Sequence, residues 1–259
     1  MTTTPSRAPA RSVRVRAKRL LRAVNDELFL RPRIVLSTWW RAGRHHAAPL
    51  APLSTLAVDP TTIDRWIDAK SVEHYLRNRY QFGVRDGSWD LETVPIDEHF
   101  VYASLKARFR QGADWSDTRL FRSAIARIER GSRPYHECRS RDDVERRLAS
   151  IDALYARIGR DGYRTQAEVR RSEHAPILAQ SRRPAVLDEV VVHVGREGRF
   201  LLADGVHRFS IARLQGIPSI PVIVLHRHAL WQAVRDAVAT GDATVGTDET
   251  HPDLVGLIR

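Results

Sequence analysis

The sequence predicts a mixed α/β fold of the α+β kind, a small sheet with a strand–helix–strand core and several added helices. Three observations point there. Between 190 and 225, short β-branched runs are punctuated by glycine: Val190–Val194, then Gly195-Arg196-Glu197-Gly198, then Arg199–Ala203. Upstream, the apolar residues instead recur at helical spacing, and a last helical stripe closes the chain at 229–239. The composition is that of a folded protein: 259 residues, 42% hydrophobic, with six tryptophans.

Each element follows from its local pattern. Residues 1–12, rich in Pro, Ser, Thr, Ala and Arg, carry no apolar period and are expected to be disordered. Val13, Ala17, Leu20, Leu21, Val24 and Leu28 line one side of a basic amphipathic helix over 13–30, with Arg14, Arg16, Lys18, Arg19 and Arg22 around them. Such a helix either docks on its own domain or lies on an anionic membrane surface. Residues 31–58, with Trp39-Trp40 and several prolines, read as an irregular connector, so 1–58 is set apart as an N-terminal extension. Asp59-Pro60 has the form of an N-cap followed by proline at the first helical position. With Ile63, Trp66, Ile67, Tyr75 and Leu76 it predicts a helical lead-in over 59–89, ending in a loop at Gly83–Trp89.

The main domain is placed at 90–240. Val94-Pro95-Ile96 opens it as a short strand that gives way to the polar, basic stretch Tyr102–Arg108. Leu120, Phe121, Ala124, Ile125 and Ile128 make one helix that Gly131 ends. Ser140-Arg141-Asp142-Asp143 is a capping-box pattern that starts a second, with Val144, Leu148, Ile151, Leu154, Tyr155 and Ile158 on its buried side. The glycines at 195 and 198 predict a hairpin turn. His207–Gln215 is a helix stopped by Gly216, and Ile220–Leu225 a buried strand. The connection between the two flanking strands is long enough for a compact crossover. From Gly241 the tail, 241–259, reads as loose.

Charge and cysteine narrow the function classes. The net charge is +11, and arginine supplies all but three of the 42 cations, which favours anionic partners that a planar guanidinium fork can grip. Cys138 is the only cysteine. It excludes an internal disulfide and a multi-thiolate zinc site, and is best matched by a reducing cytoplasm. No apolar run reaches the length of a membrane-spanning helix, and the basic N-terminus lacks the core and cleavage site of a secretory signal.

The most informative motif is Asp204-Gly205-Val206-His207-Arg208, where a strand hands over to a helix. A helix start offers unpaired amides and a positive dipole end, a natural seat for phosphate. Cationic side chains in a first turn oppose that dipole, a penalty that a shared anionic ligand removes. Asp204 either caps the helix or holds a magnesium ion. His226 and His228 share one side of a strand, as metal ligands can, but no acid stands near them in sequence.

Hairpin, Asp-Gly-x-His-Arg, helix, Gly and Ile-Pro-Val together resemble the nucleotide-binding core of the ParB/sulfiredoxin superfamily. Asp204, Gly205, His207, Arg208, Ala212, Gly216, Ile220, Pro221 and Val222 are the matching positions. The resemblance extends over about 90–228, with 188–228 the specific part and 133–187 a helical insertion. It implies a nucleotide (CTP, ATP or ADP) with Mg2+ at the strand-to-helix turn, contacted by Gly205, His207 and Arg208. It also implies phosphate contacts from Ser104, Lys106 and Arg108 after the opening strand. Val206 stands where sulfiredoxin has its reactive cysteine, so thiol chemistry is not expected, Cys138 being far off in sequence. Partition proteins carry Gly-Glu-Arg-Arg at the turn and a DNA-binding helix-turn-helix further on, and neither is legible here. The motif is most similar to the free serine kinase branch, which implies phosphotransfer to a small hydroxyl compound, with Asp97 or Glu98 as base. The alternative is a non-catalytic nucleotide-sensing or nucleic-acid-binding module of the ParB type, with or without contact to a membrane surface through 13–30.

Overall fold

The computed structural model describes residues 26–67, 78–132, 135–172, 184–242 and 250–257. The expected disordered segment at 1–12, most of the basic helix at 13–30, and Tyr75 and Leu76 of the lead-in lie outside the described residues. The fold is mixed α/β, as the sequence predicts. One seven-stranded sheet runs in the order β1-β7-β5-β6-β2-β4, with β3 also paired to β7. The strands are β1 (Leu56–Val58), β2 (Arg65–Ile67), β3 (Gly83–Arg85), β4 (Thr93–Pro95), β5 (Val190–Val194), β6 (Phe200–Asp204) and β7 (Ile220–His228). Among the described residues seven α-helices accompany it: α1 (Arg31–Arg41), α2 (Phe100–Gln111), α3 (Arg119–Glu129), α4 (Arg141–Asp161), α5 (Gln166–Arg171), α6 (Val206–Gln215) and α7 (Ala229–Thr240).

All five residues of β5 are buried, so the sheet is covered on both faces at its centre. On one face Val190, Val192, Phe200, Leu202, Val222 and Val224 form the main core with Leu105 of α2, Leu120 of α3, Leu148 of α4 and Phe209 of α6. On the other, Val191, Ile223 and Leu225 meet Ile34 of α1, Leu53, Phe82 and Leu187.

The hairpin forms as expected, β5 antiparallel to β6. The capping box also forms: Asp143 N–H donates to Ser140 Oγ at 3.2 Å, and Ser140 N–H to Asp143 Oδ2 at 3.0 Å.

Several expectations are corrected. The stretch 31–58 is not an irregular connector, since it holds α1 and β1, and β1 pairs with β7. Asp59-Pro60 starts no helix. Asp59 Oδ1 accepts the Thr61 amide at 2.8 Å and its carbonyl accepts the Thr62 amide at 3.1 Å, which closes a turn. The chain then enters β2 between β6 and β4, because sheet partners far off in sequence outweigh the local helical pattern. Gly83–Arg85, read as loop, pairs with the end of β7. Tyr102–Arg108 is helical, within α2, whose N-cap is His99. The strands β6 and β7 are not a parallel crossover pair: β5 lies between them, antiparallel to β6 and parallel to β7. The tail is not loose over 250–257 either. Asp253 and Leu254 are buried there, and Asp253 accepts from Arg227 Nη2 at 2.6 Å and Trp231 Nε1 at 2.9 Å.

Candidate anion-binding turn at the start of helix α6

The hand-over from β6 to α6 is made by Gly205, in the left-handed region at φ +84°. A Cβ there would stand 3.0 Å from the Val190 Cα, so only glycine fits both the conformation and the space. The helices α2, α3, α4, α5 and α7 are each capped by a side chain, from His99, Thr118, Ser140, Thr165 and His228 respectively. No side chain caps α6 or α1. The first-turn amides of α6 therefore keep the positive end of the dipole unscreened.

His207 and Arg208 part company at this turn. Consecutive helical residues point about 100° apart, so one ligand cannot readily receive both. His207 Nε2 shares a hydrogen bond with Tyr135 Oη at 2.7 Å. Arg208 turns to the protein's own acid instead. It donates to Glu189 Oε2 at 3.3 Å and to the Asp188 carbonyl, and Glu189 is buried. Burial pushes the Glu189 carboxyl above its ordinary range, while the Gln166 amide and Arg208 pull the other way. Beside Arg208 lies a cavity of about 20 Å³, lined by Arg157, Tyr163, Arg164 and Val169. It has room for about one water, far less than the few hundred Å³ of a nucleotide site. The two side chains expected to grip one polyphosphate thus do not converge in this structure, and Arg208 is engaged by Glu189.

What surrounds His207 is different. Tyr135, His136 and Glu137 form a tight turn in which His136 (φ +45°) and Glu137 (φ +64°) both take the left-handed conformation. Strain of that kind persists only where the surroundings hold it. The His136 ring stands 5.6 Å from that of His207. Burial, then the neighbouring His136, Arg147 and His99, push His207 down to about 3. His136, whose residue is more open to solvent, is pushed down to about 4 by burial and by Arg147. Burial raises the Tyr135 phenol to about 12. At neutral pH the imidazoles of His136 and His207 are therefore uncharged, and Arg147 brings the positive charge. Its Nε is buried without a hydrogen-bond partner.

The remaining expected residues fall as follows. Asp204 does not cap α6: Oδ1 accepts the Gly205 amide at 2.6 Å and Oδ2 accepts Arg79 Nε at 2.9 Å, with the side chain still largely exposed. Arg79 in turn donates to the carbonyls of Leu187 and Glu189, which fixes the turn to the chain before β5. Ser104 is buried, donating to the Phe100 carbonyl at 2.7 Å and accepting the Leu120 amide at 3.0 Å, so it joins α2 to α3 rather than to a phosphate. Arg108 is likewise engaged, by Asp152 at 3.3 Å and the Ala113 carbonyl at 3.2 Å. Lys106 pairs with Asp97 at 3.1 Å on the surface, and Glu98 is exposed beside it. His228 Nδ1 accepts the Leu230 amide at 3.1 Å and Nε2 donates to the Gly87 carbonyl at 2.9 Å, a capping role that leaves no lone pair for a metal. Among the described residues, no group of three or more His, Cys, Asp or Glu side chains is placed to hold a metal ion.

Sequence reasoning missed Tyr135, His136, Arg147, His99, Arg79 and Glu189. Only the dense run Tyr135-His136-Glu137-Cys138 carried a local signal. Cys138, remote in sequence from the motif, is brought to it through this turn. It is buried, and burial pushes its thiol up, so it is no thiolate nucleophile.

No family model matches the chain, and neither a curated protein nor a solved structure shows significant similarity to it.

Proposed function

We propose that this chain is a ParB/sulfiredoxin-like protein that binds a phosphate-bearing ligand, a nucleotide by the resemblance of its motif, at the β6–α6 turn. The observation that carries the reading is the uncapped start of α6 beside the buried, unpartnered Nε of Arg147. Helix-start amides and a guanidinium with one buried, unsatisfied N–H are complementary to phosphate oxygens, and bonds to a charged acceptor are the stronger kind. His207 and His136 fit the same ligand. Their neutral state is set by burial and by a nearby cation, and an arriving dianion favours their protonation. Binding should therefore take up protons and tighten as the pH falls.

The reading is one of binding. Asp97, the expected base, is held by Lys106 on the surface, so no phosphotransfer step is built on it. Asp204 is paired with Arg79 and accepts the Gly205 amide, so no step is routed through a magnesium ion there.

Thermal unfolding with ATP, ADP, CTP and pyrophosphate tests the reading on the native protein, on Arg147→Met and on His207→Gln. A ligand at about one hundred times its Kd adds about 2.7 kcal/mol, a rise of roughly 5–10 °C for a chain this size. Both variants should lose most of that rise. If none of the four ligands moves the native Tm, or if the variants respond equally, the turn is not the binding site.

A further inference from the structure

The helix α1 is amphipathic in an unusual sense. Its inward side, Ile34 and Thr38, is buried against the minor core. Its outward side is also largely apolar. Val35, Leu36, Trp39 and Trp40 recur at helical spacing with 44%, 57%, 50% and 58% of their surface exposed. Leu28 and Phe29, in the π-helical turn Asp26–Leu30 that leads into α1, are exposed as well. The two indoles meet edge to face at 5.4 Å, and the Arg44 guanidinium lies over the Trp40 ring at 5.2 Å. A soluble monomer seldom leaves six large apolar side chains together in water, and such a patch marks a contact surface.

Charge indicates what covers it. From Leu28 to Val58 there is no acidic residue, while Arg31, Arg33, Arg41 and Arg44 flank the apolar stripe. Residues 1–25 add seven more cations and no acid, so even with Asp26 and Glu27 subtracted most of the chain's net charge of +11 sits in this first part. Exposed tryptophans with leucine, edged by arginine and with no acid along the helix itself, have the chemistry of a helix seated in a lipid interface. The indoles take the headgroup level, while arginine stems lie along the apolar surface with their heads toward anionic lipid.

We infer that the outward face of α1 docks on an anionic lipid bilayer surface, lying in its plane. It does not span: among the described residues no helix is long and apolar enough to do so. The contact residues are Leu36, Trp39 and Trp40, with Phe29 and Val35 at the edge and Arg33, Arg41 and Arg44 as the charged rim. Because α1 packs on the opposite face of the sheet from α6, docking leaves the β6–α6 turn free, and the inference does not depend on the ligand proposed there.

Flotation of the full chain with phosphatidylcholine vesicles, with and without phosphatidylglycerol, tests this at low and high salt. The native protein should float only with the anionic vesicles, less so at high salt, with a blue shift of its tryptophan emission. Trp39→Ser/Trp40→Ser should lower the partition coefficient by roughly tenfold or more, since two indoles lose their burial. Both positions are exposed, so the variant's Tm should stay close to native. Equal flotation of the variant would overturn the inference in favour of the basic residues 1–25. Failure of the native protein to bind at low salt would overturn it outright. So would a native dimer that the double substitution makes monomeric without any vesicle binding, because a second copy would then cover the face.

Discussion

Replacing Arg208 with methionine removes the guanidinium 3.3 Å from the Glu189 carboxylate and leaves a similar volume of apolar side chain. Glu189 has 3% of its side chain exposed, so its charge is left without its cationic partner, though the Gln166 amide still donates to it. Removing one partner of a buried pair costs about 3–5 kcal/mol. The 18% exposure of the Arg208 side chain places the expectation at the lower end, about 3 kcal/mol. In urea unfolding that moves the midpoint by roughly 1 M or more, with an unchanged slope. The pH dependence has a definite sign. The Glu189 pKa is already raised in the fold, and without Arg208 it rises further. Between the ordinary carboxylate value and the raised one, the folded protein holds a proton that the unfolded chain has lost, so stability falls as pH rises. The penalty should be large at neutral pH and shrink in mildly acidic buffer. Glu189→Gln/Arg208→Met should recover much of it, because a neutral amide can still accept the Gln166 N–H. A loss below about 1 kcal/mol for Arg208→Met, together with lost affinity for phosphate ligands, would refute the reasoning and return Arg208 to the binding site.

Two further outcomes bear on the fold and the turn. His207 titrates at about 3 in the folded protein, well below the ordinary 6.5. Between those values the unfolded chain takes up a proton that the folded one refuses, so this group costs stability as the pH falls, by about 1.4 kcal/mol per unit. A pH series of urea midpoints should show a shallower acid slope for His207→Gln, and identical slopes would mean that the imidazole is not held neutral. Asp253→Ala removes the carboxylate that accepts from Arg227 and forms an ion pair with Arg235, both buried, and should cost about 3–5 kcal/mol. If chemical denaturation registers less than about 1 kcal/mol, residues 250–257 are not the structural part they are taken for here.

Where a pattern was local, the sequence was readable. The stripes of α3 and α4, the Ser140–Asp143 capping box, the β5–β6 hairpin and the glycine that opens α6 each rest on residues within one or two turns of each other. Where partners are distant, it was not. Asp59-Pro60 has every local mark of a helix start, yet the next residues are claimed by β6 and β4, strands that come later in the chain. Trp39-Trp40 reads as connector, since nothing in its spacing says that Ile34 and Thr38 will find a core and leave the indoles outside. The candidate site divides the same way. Gly205 and His207 were legible as a helix start suited to an anion. Tyr135, His136 and Arg147 come from a turn and a helix more than fifty residues away, and no periodicity announces such a meeting.

The chain alone thus determined its mixed α/β class, its hairpin, and the glycine-opened start of one helix, because each depends on backbone preferences and short-range hydrogen bonds. Tertiary structure decided which side chains at that start remain available. Arg208 is identical in sequence whether it meets a ligand or Glu189. The choice was made by a buried carboxylate just before β5, which the antiparallel pairing of β5 with β6 brings to the turn and which has to be paired wherever the fold puts it.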